Sequence, residues 1–186
     1  MRYFILSVSA CVLAAACGNP FALPPAYVSN RVDTVSLYAL SGTPIALPSA
    51  FYIVGNRVVR TDQGGPFDFA FDIDTAGTSR LYPTGALKLG RGSGVLLSAQ
   101  EFDSIKIAPT SNYKLDSAQV VTENSVVIAH SSPITCPTGI AGVEYAKLHV
   151  LTLDTTSSPA GRRIQFEILV NQNCGYRGLE PGVPRF

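Results

Sequence analysis

The chain of 186 residues contains no tryptophan, one methionine, two histidines and four cysteines. Charged residues make up only 15% of it, and its 14 basic and 13 acidic side chains nearly cancel. A chain that is 46% hydrophobic and so weakly charged is not of the intrinsically disordered class. The balanced charge lacks the basic surface that phosphate binding requires, which indicates no nucleic-acid partner. With so few side chains suited to catalysis, we predict a protein that is not an enzyme; an unrecognised hydrolase is the alternative.

Long hydrophobic runs are also missing, and beyond the N-terminus none approaches the ~18 residues of a membrane-spanning helix. The N-terminal run follows Arg2 and carries no charge from Tyr3 to Ala16. It is too short to cross ~30 Å of hydrocarbon as a helix. A short basic start, an apolar stretch and small residues at its end are typical of a secretory signal peptide.

The end of this run, Leu13 to Ala16 followed by Cys17, resembles the lipobox of bacterial lipoproteins. The resemblance implies cleavage before Cys17, a lipid on its sulfur and acylation of the new amine, for example with palmitate. Several acyl chains hold a protein on a membrane stably. Gly18 and Asn19 follow, with no aspartate beside the cysteine. By lipoprotein sorting rules, this implies the outer membrane of a Gram-negative-type bacterium, on the periplasmic side.

Two alternatives to this processing site stay open. Val8 to Cys11 is a competing lipobox, although it leaves a very short apolar stretch before it. Ordinary secretion with cleavage after Ala14–Ala16 is the other. We therefore predict a signal peptide over 1–16, a flexible proline-containing tether over 17–30, and a single β-rich domain over 31–186.

Hydrophobic residues alternate with polar ones through most of this domain, which predicts β-strands. In the segment from Phe67 to Asp74, aromatic and aliphatic side chains occupy one face and Asp68, Asp72 and Asp74 the other. Residues 162–170 repeat the pattern. Further predicted strands are 32–40, 50–54, 57–61, 94–98, 102–107, 118–122, 125–130 and 144–153. So many short strands predict an all-β protein with two antiparallel sheets, as a sandwich or a flattened barrel.

Cys136 and Cys174 are the two cysteines that remain after lipidation and removal of the signal peptide. An even pair in an exported protein predicts a disulfide bond between them. Their spacing does not fit a redox C-x-x-C motif.

Short motifs that suggest chemistry do not complete a site. Asp74-Thr75-Ala76-Gly77 differs in order from the aspartic protease loop and lacks the ligands of a calcium loop, so we expect a turn. Gly90-Arg91-Gly92-Ser93-Gly94 lacks the G-K-[ST] ending of a phosphate loop, and we expect a glycine-rich turn. We predict no catalytic residue.

The two histidines are the main candidates for a metal site. If strands 125–130 and 144–153 form a hairpin centred between Gly139 and Ile140, His130 and His149 lie directly opposite each other. Their Cβ atoms would then be about 5 Å apart, close enough to share a zinc or copper ion. A slip of one residue would place them on opposite faces.

The stretch from Tyr145 to Val150, followed by the strand from Arg163 to Glu167, resembles the C-terminal strands of the HmuY-like lipoproteins. The resemblance extends over roughly residues 65–170. It implies a lipid-anchored β-sandwich that captures haem between two histidine or methionine side chains. No methionine survives removal of the signal peptide, which leaves His130 and His149 for that role.

Two functions follow as expectations. The first is a non-catalytic envelope lipoprotein that binds a protein partner or acts as an accessory structural subunit. Tyrosine is enriched at interfaces, and the patch around Tyr176 and Arg177 is the first candidate contact. The alternative is a carrier of haem or of a transition metal that uses His130 and His149.

Overall fold

The computed structural model describes residues 23–156 and 161–185. The predicted signal peptide and Cys17 lie outside these ranges. Three 3-10 helices occur in the described part, at Thr61–Gln63, Thr84–Leu87 and Phe102–Ser104. The described strands are β1 Val32–Tyr38, β2 Ala50–Tyr52, β3 Arg57–Val59, β4 Phe69–Ile73, β5 Ser79–Pro83, β6 Gly94–Ser98, β7 Gln119–Val120, β8 Val126–His130, β9 Ile134–Thr135, β10 Ala141–Gly142, β11 Tyr145–Asp154 and β12 Arg163–Asn171.

The strands form two antiparallel sheets of five strands each, which confirms the predicted all-β sandwich. The first sheet has the order β1-β12-β11-β8-β6, and the second has the order β3-β2-β4-β5-β7. A small hairpin of β9 and β10 stands apart from both. The described strands remain in two separate sheets and do not close into the flattened barrel that was the other expectation.

The alternating pattern explains the core between the sheets. Phe69 and Phe71 of β4 and Phe166 of β12 are fully buried there. The rings of Phe51 and Phe69 stack with their centroids 5.6 Å apart, and Phe166 meets Phe69 at 6.3 Å. Burying each such ring stabilises the fold by about 1.5–3 kcal/mol.

Asp68 is a correction to the predicted solvated face of this segment. Its side chain is buried and accepts hydrogen bonds from the backbone N–H groups of Ile53 at 2.8 Å and Ser132 at 2.7 Å. Burial raises its pKa above the ordinary value. Asp72 and Asp74 lie at the surface as predicted, where Asp74 caps the turn to β5 by accepting from Ala76 and Thr78.

A third layer covers the outer face of the first sheet. Phe102, Ile105, Ala108 and Leu179 pack there against residues of β8 and β12. The backbone of Leu179 donates to the carbonyl oxygen of Lys106 at 2.7 Å, which joins this loop to the C-terminal tail. The predicted strand 102–107 is therefore wrong. Its apolar residues cover a sheet face as a loop instead of pairing within a sheet.

Lys147 of β11 points into this layer and is only 2% exposed. Its Nζ donates to the carbonyl oxygens of Phe102 at 2.7 Å and Ile105 at 3.0 Å, and it lies 4.4 Å from the centre of the Phe102 ring. Burial lowers the pKa of this ammonium group. The buried charge thus holds the covering loop on the sheet.

β5, β9 and β10 were not predicted. β5 ends in proline, and Leu81 is its one aliphatic residue, so the alternation of apolar and polar residues that would predict a strand is weak. It forms because β4 offers a full antiparallel edge, with Phe71 opposite Leu81. β9 and β10 have two residues each, too few for any period to be read.

Candidate functional site

The predicted disulfide between Cys136 and Cys174 is confirmed, with the two Cα atoms 5.6 Å apart. It joins the β9–β10 hairpin to the chain that follows β12. A Cβ atom at Gly142 would lie 2.6 Å from the sulfur of Cys136 and 3.0 Å from that of Cys174. Only glycine therefore lets β10 pass beside the bridge.

The two histidines do not face each other, so the predicted hairpin register is wrong. In the β8–β11 pair, His130 lies opposite Tyr145 and His149 lies opposite Val126. The imidazoles share one face of the sheet but are four positions apart along it, or about 13 Å. The connection between β8 and β11 is not symmetrical about Gly139, because Ser131 already donates to the carbonyl of Glu144 at its start.

Each histidine has its own partner. The Nδ1 atom of His130 lies 2.8 Å from the carbonyl oxygen of Ser131, and its ring meets that of Tyr113 edge-on at 4.6 Å. Burial lowers the pKa of His130. The Nδ1 atom of His149 lies 2.7 Å from Oε1 of Glu167.

Within residues 23–156 and 161–185, no three histidine, cysteine or acidic side chains come together as a metal site would require. An ion bound by both histidines does not follow from this register. A haem or metal site on either residue stays a prediction, for which a visible spectrum and a metal assay of the purified protein are the test.

Tyr176 and Arg177 are engaged within the chain. The hydroxyl of Tyr176 donates to the carbonyl oxygen of Pro24 at 2.8 Å. The guanidinium of Arg177 donates from Nε to the carbonyl oxygen of Ala108 at 2.8 Å and from a terminal nitrogen to the same oxygen. Both side chains are half-buried. They fasten other segments of the chain, and their role in binding a partner stays a prediction.

The segment from Pro24 to Asn30, predicted as part of a flexible tether, lies along the domain. The Oδ1 atom of Asn173 accepts from the backbone N–H groups of Tyr27 and Val28, each at 3.0 Å. Asn30 and Gly182 exchange two backbone hydrogen bonds. The described part of the tether is thus fixed to the C-terminal tail.

A pocket of about 120 Å³ lies where this N-terminal segment meets the disulfide. Its walls are mainly apolar and include the proline rings of Pro24, Pro25 and Pro137 and the side chain of Ile134. Glu144 supplies a carboxyl group to the lining. Pockets of this kind, apolar with one or two polar groups, are the usual form of a small-ligand site.

Glu144 is the residue that sets this pocket apart. It is only 5% exposed, and its Oε2 atom is fully buried without a hydrogen-bond partner in the described chain. Burial, together with the negative charge of Asp68, raises its pKa from 4.5 to about 7. A buried acceptor without a donor costs roughly 1–3 kcal/mol, and such a group is often part of a binding site.

Glu144 was not predicted as a site residue, although its position in the sequence contained a signal for burial. Ala146, Leu148 and Val150 of β11 are all in the core, and Glu144, which directly precedes β11, continues their every-second-residue spacing. An acidic residue at a position where the alternation predicts a core side chain is a candidate functional residue, because a buried carboxyl group is costly unless it has a hydrogen-bond partner.

No protein-family model matches this chain, and no curated protein resembles it closely enough in sequence to be counted as a relative. Among the residues described, no helix has the length and apolar character to cross a membrane.

Proposed function

We propose that this protein is a non-catalytic lipoprotein of the bacterial cell envelope. It is anchored through Cys17 on the periplasmic side of the outer membrane and acts as a binding or accessory structural subunit. The observation that carries the proposal is the pocket at the junction of the N-terminal segment and the disulfide. Glu144 lines it, and the Oε2 atom of this residue has no hydrogen-bond partner in the described chain.

The position of this pocket along the chain supports a role near the membrane. The six residues between Cys17 and Pro24 span at most about 25 Å when fully extended. Pro24 and Pro25 themselves line the pocket. A lipid on Cys17 would keep the pocket face within that distance of the bilayer, so its partner would be a membrane or membrane-associated protein.

The exposed surface beside the pocket supports a protein partner. The side chain of Tyr27 is 77% exposed, although its backbone N–H is held by Asn173. A tyrosine presented on a fixed backbone supplies contact area with little loss of conformational entropy, which is why tyrosine is enriched at interfaces.

The anchor is tested by replacing Cys17 with serine in the full chain expressed in a Gram-negative host. The wild-type protein should partition with outer membranes and incorporate labelled fatty acid. Cys17→Ser should lose both properties, and Cys11→Ser should keep them. Label retained in Cys17→Ser and lost in Cys11→Ser would move the lipid to the competing site. A wild-type chain without label would overturn the anchor.

The binding role is tested with a photocrosslinking amino acid at Tyr27 in intact cells, with Thr75 as the matched control. Both positions are exposed. Thr75 lies beside Arg162, which directly precedes β12, whereas the backbone of Tyr27 is bound by Asn173, which follows β12. The two positions are therefore near opposite ends of this strand. We expect one discrete adduct from Tyr27 and none from Thr75. Equal labelling from both positions, or none from Tyr27, would contradict the proposal.

A further inference from the structure

We propose that the Glu144 pocket binds the alkylammonium group of a lysine side chain, with the hydrocarbon stem between the proline rings and the ammonium on the carboxyl of Glu144. This inference rests on the proposed function, because it names the chemistry of the partner group that the binding face would accept. It can nevertheless fail on its own, since it is tested on the purified protein.

The carboxyl group of Glu144 favours a ligand that donates a hydrogen bond. Oε2 of Glu144 is fully buried and receives no hydrogen bond from the described chain. The other buried carboxyl nearby, Asp68, is already satisfied by two backbone N–H groups. Glu144 also lines the pocket, so a ligand that donates to its carboxyl group lowers the desolvation cost of that group.

The charges around the pocket determine that the donor is a cation. No lysine or arginine is among the described residues that line it. Among the described residues, the negative charge of Asp68 acts on Glu144, and Tyr27 and Tyr176 are the other ionisable side chains in the lining. An ammonium ion would meet attraction and no competing cation, and charge-assisted hydrogen bonds are roughly twice as strong as neutral ones.

The size and apolar walls of the pocket select among cations. A volume of about 120 Å³ is somewhat less than the ~150 Å³ of a cavity that holds the six carbon atoms of benzene, so it admits a group of about five heavy atoms. A lysine side chain meets this limit, and a longer guanidinium side chain does not. A calcium ion would need six to eight oxygen ligands, and proline rings offer none from their side chains.

The pocket also has features that preorganise it. The disulfide holds Cys174 in the lining, and the hydrogen bond from Tyr176 to Pro24 joins two further lining residues. Asn173 fastens the backbone of Tyr27 at the rim. Walls held in this way reduce the ordering cost of binding.

The test compares two probes that differ only at the end of the side chain, N-acetyl-lysine methylamide and N-acetyl-norleucine methylamide. Each is titrated into the full chain in detergent at pH 8, and the backbone amide signals of Tyr27 and Val28 are followed by NMR. We expect the lysine probe to bind at least tenfold more tightly than the norleucine probe. The arginine analogue should bind more weakly than the lysine probe.

Two variants identify the group responsible. Glu144→Gln should abolish the preference for lysine over norleucine, whereas Glu101→Gln, at an exposed position, should retain it. Because protonation of Glu144 removes the charge that the ammonium recognises, the affinity for lysine should fall roughly tenfold or more between pH 8 and pH 5.5. Norleucine should show no such change.

The outcomes separate this inference from the proposed function. Equal affinity for the lysine and norleucine probes, or a preference that survives in Glu144→Gln, would overturn the lysine site. A crosslink from Tyr27 would still support the binding role in that case. A lysine preference without any crosslink from Tyr27 would keep the site and reject the envelope partner at that face.

Discussion

The hydroxyl of Tyr176 donates a hydrogen bond of 2.8 Å to the carbonyl oxygen of Pro24, a residue 152 positions earlier in the chain. The contact closes the N-terminal segment onto the turn that follows the disulfide. Asn173 strengthens the same closure through the backbone of Tyr27 and Val28. The first described residues of the domain and its C-terminal tail are therefore one structural unit.

Replacing Asn173 with alanine should release this unit while leaving the sandwich folded. The variant loses the acceptor for two backbone N–H groups and a donor to the carbonyl of Val28. We expect a loss of about 1–3 kcal/mol in the free energy of unfolding. Hydrogen exchange at Tyr27 and Val28 should become at least tenfold faster.

Gln172→Ala is the matched control for that experiment. The Gln172 side chain donates to the carbonyl oxygen of Val54 and so contacts a different segment. Exchange at Tyr27 and Val28 should be unchanged in this variant. Unchanged exchange in the Asn173 variant as well would show that the segment is held by other contacts.

Replacing both Cys136 and Cys174 with serine should lower the free energy of unfolding by about 4 kcal/mol. The reason is that the bridge joins residues 38 positions apart and thereby restricts the unfolded chain. Urea unfolding in the presence and absence of dithiothreitol is the measurement. Reductant should destabilise the wild type to the level of the double variant and leave the variant unaffected; a wild-type curve insensitive to reductant would disprove the contribution.

Glu144 should make the unliganded protein less stable as the pH rises from about 4.5 to about 7. The pKa of Glu144 is raised to about 7 in the folded state, so the folded protein holds this proton more tightly than the unfolded chain does. The resulting stability is fully present below the unfolded pKa and is lost as the pH passes the folded value, a change of about 3 kcal/mol.

Glu144→Gln removes the titrating group and should therefore flatten this part of the pH profile, measured by urea unfolding at several pH values. Glu101→Gln should leave the profile unchanged, since Glu101 is exposed. If both variants retain the wild-type slope, another group is responsible for the pH dependence.

Lys147→Met should destabilise the protein by about 1–3 kcal/mol, because the buried carbonyl oxygens of Phe102 and Ile105 lose the ammonium that binds both. Methionine fills similar space but donates no hydrogen bond. Lys106→Met, at a largely exposed ion pair with Glu180, should change stability by no more than about 0.5 kcal/mol. Denaturation midpoints compare the two. Equal midpoints would mean that packing alone holds the covering loop.

Strand prediction succeeded where one face of a strand is buried in the core and the other is polar. The predicted strand 94–98 coincides with β6, and β8 and β11 lie within one residue of their predicted ends. Segment 102–107 has apolar residues that also require burial, but they bury against the outside of a sheet. The alternation of apolar and polar residues indicates that a side chain is buried, but it does not indicate which surface covers that side chain.

Some of the site residues could be predicted from the sequence, and others could not. The Cys136–Cys174 pairing was predicted from the cysteine count, because the predicted signal peptide and lipid anchor would leave only these two cysteines to pair. The register of His130 and His149 did not follow, since it depends on how the intervening loop closes. Glu144 carried a parity signal, but its missing partner could be recognised only from the atoms around it.

The sequence by itself determined the class of fold, because alternation of apolar and polar residues over short segments is a local property. It likewise determined the disulfide partners, and it predicts the signal peptide and lipid anchor. Only the tertiary structure decided the register of β8 and β11, the burial of Asp68, Glu144 and Lys147, and the closure of the N-terminal segment on the tail. These depend on contacts between residues far apart in the chain, whose geometry is fixed only when the two sheets and their covering loops pack together.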